Sequence, residues 1–347
     1  MELLEEDKQI RRLQLSGGST FIISLPKTWV EDLKINVGDS VTITKNSNRS
    51  MTLYPGSNSV SKEKNQAEIV TSQQDSSESI SRKIIATYLA GYKTIRIKSK
   101  GMRIQPEHAR IVRSLVRSSM IGTEIVESSS EMIMIQILTR LPELSFETAL
   151  KRMYLMASNM HKEAIECLES NDIEHSEEII RMDDEVDRFS LYMRRNLTLA
   201  VQNASILNDM GLSKPSDCLG YRAVIGRIER IADHASLIAK RVKFLENPID
   251  SKIMKKISKI SDDSLSVFEE AINALLKKDY QRAETTAEQI KKVIENEKSF
   301  MSGIKESMKN STVIRFVLED IRRTAEYSSD IIEVAIDENI GNVINEN

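Results

Sequence analysis

The feature that limits this chain most is a run of helical periodicity that begins near residue 145 and holds almost to residue 340. Apolar residues recur there at the spacing that lines one face of an α-helix. The pattern predicts six long helices, over 145–169, 173–208, 215–246, 251–278, 280–305 and 310–338. Breaks fall at Asn171-Asp172, Gly211 through Pro215, Asn247-Pro248, Lys278-Asp279 and Asn310-Ser311. Links this short join antiparallel neighbours, so the helices pack as bundles. Six similar helices suggest two three-helix repeats, 145–246 and 251–338, related by internal duplication.

The first 140 residues follow other rules. Between 9 and 55 the segment LQLSGGSTFIISLP reads as a hairpin turning at Gly17-Gly18. Pro26 opens a short helix whose buried side would hold Trp29, Val30 and Leu33. Gly38-Asp39 turns into the strand SVTIT, and Asn46 to Asn48 turn into SMTLYP. A β-β-α-β-β module of this size is small for an independent core, and dimerisation would supply the missing buried area. Residues 56–66 are polar and Ser-rich, a linker or exposed loop. From 67 to 140 the order is β-α-β-α-β-β, a small two-layer α/β domain. Met132 and Met134, alternating with Ile133 and Ile135, read as a buried strand. The basic residues Arg82, Lys83, Arg96, Lys98, Lys100 and Arg103 make this region a secondary candidate for nucleic-acid contact. The fold class is therefore multidomain α+β: a β-rich N-terminal dimerisation module, a middle α/β layer and a C-terminal all-α region over 145–340.

Composition narrows the function. A formal charge of -3 gives no global field directed at nucleic acid or an anionic membrane. Cys167 and Cys218 form no C-x-x-C pair, which fits a reducing compartment. The opening MELLEEDKQ has no apolar core of a signal peptide, and no apolar run is long enough to span a bilayer. A cytoplasmic protein without membrane insertion is expected. There is no P-loop, G-x-S-x-G or H-E-x-x-H motif, and no Glu-x-x-His pair in the helical region, so an enzyme is not expected.

Two acidic pairs stand out in the first helical half. Asp183 and Asp187 are one helical turn apart, as are Glu229 and Asp233 on the next helix. In GRIERIADHASLIAKRV the packed stripe is Ile228, Ala232, Ala235 and Ala239, whose small side chains let two helices approach closely. If the two helices face each other there, four carboxylates converge and repel unless a multivalent cation joins them. Asp184 is a further oxygen donor beside them. The alternative is local ion pairing, Glu229 with Arg222 or Arg230 and Asp233 with Arg230 or Lys240. His234 points about 100° away from Asp233, toward a packing or orienting role. His108, His161 and His175 share no spacing and are expected at the surface.

The second half is an internal control. Aligning the repeats puts Arg322 opposite Glu229, Arg323 opposite Arg230, Glu326 opposite Asp233 and Tyr327 opposite His234. Ile294 falls opposite Asp183 and Lys298 opposite Asp187. Three of the four carboxylates are thus missing there, and an ion pair such as Lys298 with Glu326 would replace the cation. One metal site per chain at most is expected.

The run Arg227 through Ala235, continued to Ile238-Ala239, resembles the signature of PhoU, the phosphate-uptake regulator family, and Asp183 through Asp187 resembles its companion motif. Gly17-Gly18-Ser19, Ser24 through Lys27 with Trp29, and Gly38-Asp39 resemble an AbrB/MazE/SpoVT-type module. The combination resembles archaeal PhoU-like proteins, which also carry a middle α/β region. The PhoU resemblance implies two three-helix repeats and a divalent or trivalent ion (iron, zinc or manganese), alone or as a cluster, on Asp183, Asp187, Glu229 and Asp233. It implies restraint of phosphate import through components of an ABC phosphate transporter. The AbrB-type resemblance implies a homodimer that binds DNA, and Lys8, Arg11, Arg12 and Lys27 would give it a doubled basic surface. The alternative is a protein-interaction regulator that uses the N-terminal module only to dimerise.

Overall fold

The computed structural model describes residues 9–45, 51–55, 66–100, 103–138 and 145–344. The chain divides into two compact units, Met1–Glu63 and Lys64–Asn347. The expected linker at 56–66 and the expected domain break after 140 lie mostly outside the described residues.

In the N-terminal unit β1 (Gln14–Ser16) pairs antiparallel with β2 (Thr20–Ile22), with Ser16 opposite Thr20. The loop between them holds Gly17 and Gly18 at φ of 63° and 81°, backbone that a side chain would strain. The helix α1 (Lys27–Asp32) follows, then the ladder of β3 (Val41–Lys45) and β4 (Met51–Pro55). The two ladders are separate two-stranded sheets. Among the residues of this unit with a described side chain only Pro26 is buried. The expected buried side of α1 is corrected accordingly: Trp29 and Val30 are half-buried and Leu33 is 58% exposed. Two hairpins and one short helix in a single copy offer no second layer to cover them, so Leu15, Phe21, Ile43 and Met51 all stand in solvent.

The second unit begins with the α/β layer: β5 (Gln66–Thr71), α2 (Ser77–Leu89), β6 (Thr94–Ser99), α3 (Pro106–Ser114), β7 (Thr123–Ser128) and β8 (Met132–Ile137). The sheet order is β5-β6-β8-β7, with β5 and β6 parallel and the other pairs antiparallel. Ser76 caps α2 by accepting from the Ser79 amide, and Pro106 opens α3 at its first turn. Ile95, Ile97, Ile133 and Ile135 are buried together with Ile80, Ile84, Tyr88 and Val112 of the helices. Met132 and Met134, by contrast, are only half-buried. The period-two pattern therefore sorts one face of the sheet under α2 and α3. His108 is no surface residue: it is 2% exposed, with Nε2 2.9 Å from the Asp75 carbonyl oxygen.

The helical region contains seven α-helices among the described residues: α4 (Phe146–Ser170), α5 (Ile173–Gln202), α6 (Ala204–Asp209), α7 (Asp217–Val242), α8 (Ser251–Lys277), α9 (Tyr280–Ser302) and α10 (Ser311–Asn339). Asn171 and Lys278 end their helices in the left-handed conformation, and Asp172, Asp250 and Asp279 cap the helices that follow. The expected helix over 173–208 is interrupted at Asn203, whose backbone turns extended and whose side chain caps α6 through the Ser205 amide. α4, α5 and α7 pack together, as do α8, α9 and α10. α7 also lies against α10, and α4 against α8, so one continuous apolar core runs through both bundles. Ile228, Ala232, Ala235 and Ala239 are all fully buried in it.

His161 is also in this core rather than at the surface. Its Nε2 is 3.0 Å from Ser261 Oγ and its Nδ1 is 3.2 Å from Thr324 Oγ1, so it joins α4, α8 and α10. Burial, with a smaller contribution from His234, lowers its pKa to about 4.

The α/β layer is bound to the bundle by Arg195 of α5, which is 4% exposed. Its guanidinium donates to the carbonyl oxygens of Tyr88, Gly91 (3.3 Å) and Tyr92 (2.9 Å), and stacks on the Tyr88 ring at 4.7 Å. Those carbonyls lie at the C-terminal end of α2, where a cation meets the negative end of the helix dipole. Gly91 adjoins them at φ 95°, and a Cβ there would come 2.9 Å from Leu199 Cδ2.

Candidate metal-binding site

α5 and α7 lie side by side, and the four predicted carboxylates fall on their facing sides. Their electrostatics show the proximity. Asp187 has its pKa pushed up to about 7, by desolvation first and then by Glu229, Asp183 and Asp233. Asp183 is raised by desolvation first and then by Asp233. The Asp187 side chain is exposed, so water screens much of this repulsion. Like charges this close favour the protonated form of Asp187 and Asp183.

The carboxylates do not form one ligand shell. Among the described residues no group of three or more His, Cys, Asp or Glu is arranged to hold a metal ion. Two of the four are held by arginine. Glu229 Oε2 accepts from the Arg194 guanidinium and from Ser190 Oγ at 2.7 Å, both on α5. Asp233 Oδ2 pairs with Arg230 Nη1 at 3.3 Å. Of the local pairings weighed from the sequence, Asp233 with Arg230 is present; Glu229 pairs across the helices with Arg194 instead of with Arg222 or Arg230. Asp184 is exposed, at the edge of the group. Arg194 is not among the site residues expected from the sequence. It stands seven residues beyond Asp187, two turns along the same face of α5, and that spacing was the available signal.

The donor set still suits a hard or borderline cation. The side chains supply oxygen only, and no basic side chain pairs with Asp187 among the described residues. Seating an ion on all four carboxylates requires Glu229 and Asp233 to exchange their arginine contacts for it.

His234 plays the orienting part expected of it. Its Nδ1 lies 2.8 Å from Asp320 Oδ1, and Asp320 Oδ2 accepts from Arg241 Nε at 2.8 Å. Asp320 is on α10 and nearly buried, so this cluster fixes α7 against the second repeat. Tyr327, aligned with His234 in the repeat comparison, packs against it with centroids 5.7 Å apart.

In the second repeat the aligned position holds an ion pair, but not the expected one of Lys298 with Glu326. Glu297 is fully buried and Lys298 is exposed. Arg322, the residue aligned with Glu229, lies 3.3 Å from both Glu297 and Glu326. One position on a helix is about 100° of rotation, enough to exchange an outward lysine for an inward glutamate. Desolvation raises the Glu297 pKa to about 7, opposed next by Arg322.

The predicted DNA contacts lie in the N-terminal unit. Arg11 and Arg12 are exposed, and Arg11 bonds Gln9 at 2.5 Å. The Lys27 side chain is 88% exposed and 3.6 Å from Glu31. Lys8 lies outside the described residues. Cys167 and Cys218 are buried free thiols, each raised to about 11 mainly by desolvation. No helix among the described residues is long and apolar enough to cross a membrane.

Comparison with known proteins follows the same division. Residues 150–242 match the sequence profile of the PhoU domain, and residues 14–61 that of the antidote-toxin recognition protein MazE, a bacterial antitoxin. A curated relative, the phosphate-specific transport system accessory protein PhoU homolog of Clostridium acetobutylicum, is 24% identical over 196 residues, covering 54% of this chain and 87% of that protein. The crystal structure of the phosphate transport system regulatory protein PhoU from Streptococcus pneumoniae aligns with a TM-score of 0.49 at 20% identity, over 58% of this chain and 96% of that one. PhoU from Pseudomonas aeruginosa aligns with a TM-score of 0.45 at 16% identity, over 56% and 96%. The PhoU profile spans the first repeat and contains Asp183, Asp187, Glu229 and Asp233. The chain carries a PhoU domain in its helical region and a MazE/AbrB-like domain at its N-terminal end.

Proposed function

We propose that this protein is a regulator of phosphate uptake that acts through contacts with phosphate ABC transporter components. The observation that carries this reading is the PhoU-domain match over α4 to α7. The name of the Clostridium relative, an accessory protein of phosphate-specific transport, supports it. The role is regulatory rather than catalytic. Co-purification from membranes with a phosphate-transporter ATPase tests it; a full-length protein that retains no transporter component at low or high phosphate sinks it.

Asp183, Asp187, Glu229 and Asp233 would hold one divalent or trivalent ion or a small cluster, iron, zinc or manganese. The ion would supply positive charge that locks α5 to α7. The chain's own contribution is the placement of the four carboxylates, with His234 and Asp320 holding α7 in register against α10. Metal analysis of the purified protein beside Asp187→Asn and Asp233→Asn checks this assignment.

For the N-terminal unit the reading is a homodimer that contacts DNA through Lys8, Arg11, Arg12 and Lys27. Its support is the apolar surface that one copy leaves in solvent and the basic side chains beside the first hairpin. The second reading, dimerisation without DNA, is favoured by the local pairing of Lys27 with Glu31. Retention on duplex DNA that weakens steeply with salt separates the two.

A further inference from the structure

A cavity of about 360 Å³ lies at the junction of the α/β layer and α5, apart from the acidic site. Val116, Met120 and Leu138 give it apolar walls, and two arginines from different elements line it, Arg117 and Arg188. Arg117 projects from Leu115–Ser119, where α3 widens into a single π-helical turn. Such turns are costly and recur at functional sites, because the extra residue re-aims the side chains it carries. Arg188 comes from α5, directly after Asp187. Neither guanidinium has a carboxylate within salt-bridge distance among the described residues, and Arg188 Nε is buried without a hydrogen-bond partner.

A buried N–H donor with no acceptor costs about 1–3 kcal/mol. The unsatisfied Arg188 Nε–H, with the exposed Arg117 lining the same concave site, is therefore an arrangement that an anion would complete. A guanidinium presents a planar fork of donors that matches the oxygens of phosphate, and two forks set across a cavity can grip one tetrahedral group from two sides. The volume is at the small end for ligand sites, room for one phosphate-sized group and a short substituent. We propose that this cavity binds a small tetrahedral oxyanion, inorganic phosphate or the phosphoryl group of a small metabolite, between Arg117 and Arg188. Glu124, also in the wall, opposes the anion and limits its affinity.

The inference does not rest on the reading of the acidic site or of the transporter contact. The test is isothermal titration of the full chain, in chloride buffer, with inorganic phosphate and separately with glycerol 3-phosphate. Saturable binding of either is expected, and the tighter of the two identifies the source of the oxyanion. Arg117→Ala and Arg188→Gln should each weaken it at least tenfold, and Glu124→Gln should tighten it several-fold. Arg117 is exposed, so its variant keeps the fold, and melting curves verify this for Arg188→Gln. Absence of saturable binding by both compounds, or binding that neither arginine variant weakens, overturns the proposal.

Discussion

Arg194 and Arg195 are consecutive on α5 and reach in different directions: Arg194 to Glu229 of α7, Arg195 to the carbonyl oxygens at the end of α2. α5 is thereby tied at one level to its bundle neighbour and to the α/β layer. The helix that carries Asp183 and Asp187 is also the one that holds the two parts of the second unit together.

Replacing Arg195 by Met tests the second of these ties. Methionine keeps most of the buried stem but removes every donor, leaving three carbonyl oxygens without the guanidinium. Hydrogen bonds to charged groups contribute about 1.5–3 kcal/mol each, and part of that returns as relieved desolvation of the arginine. A net loss of roughly 2–4 kcal/mol is expected. Urea unfolding reads the loss, and hydrogen exchange should show it first at the end of α2. A variant as stable as the wild type would mean the clamp contributes nothing.

His161 makes stability depend on pH in a direction that follows from burial. Its pKa falls from 6.5 to about 4 on folding. Between those values the unfolded chain binds the proton and the folded chain does not, so stability is lost as pH falls from 6.5 toward 4. At about 1.4 kcal/mol per pKa unit the loss is roughly 3 kcal/mol. His161→Gln should cost stability near neutrality but flatten the acid limb. Parallel acid limbs in the two proteins would show that His161 does not titrate this way.

His161 also shows how the sequence could be read more fully. The helical period located the long helices, because apolar stripes with polar caps leave little freedom. The same stripe runs Met153, Ala157, Met160, Ala164, and His161 sits on it four residues beyond Ala157. Treating histidines by mutual spacing rather than by stripe sent it to the surface. Asn203 escaped notice because a single extended residue without Gly or Pro leaves no punctuation. The Glu297 and Lys298 exchange arose from aligning repeats by identity, when an error of one residue rotates every side chain. The carboxylates were legible from their spacing on adjacent helices. Their arginine partner was not, because pairing across helices depends on packing depth and rotation that periodicity does not specify.

At the acidic site, arginine and a metal ion compete for the same oxygens. Arg194→Gln frees Glu229 from its counter-ion and removes a positive charge from beside the carboxylates. The variant should take up manganese or zinc about tenfold more tightly than the wild type, and Glu229→Gln about tenfold more weakly, a scale typical of changes around a metal site. Equilibrium dialysis with metal analysis measures both. Equal metal content in all three proteins would remove the ion from the account and leave an arginine-neutralised pair of helices.

The exposed apolar residues of the N-terminal unit make the last prediction. Phe21 is 68% exposed and Leu15 62%, and they face each other across the first hairpin. A cross-strand aromatic and aliphatic pair left in water contributes only about 0.2–1 kcal/mol to its hairpin, whereas burying one such side chain contributes about 1.5–3 kcal/mol. A second copy would bury the pair twice, so Phe21→Asp should raise the dimer dissociation constant at least a hundredfold, read by light scattering on gel filtration. Arg11→Ala with Arg12→Ala should leave the dimer intact and lower the salt dependence of DNA retention, because each phosphate contact contributes about one unit of that slope. The two variants separate assembly from DNA contact. If Phe21→Asp leaves the mass unchanged, the chain assembles through some other surface and the apolar hairpin needs a different partner.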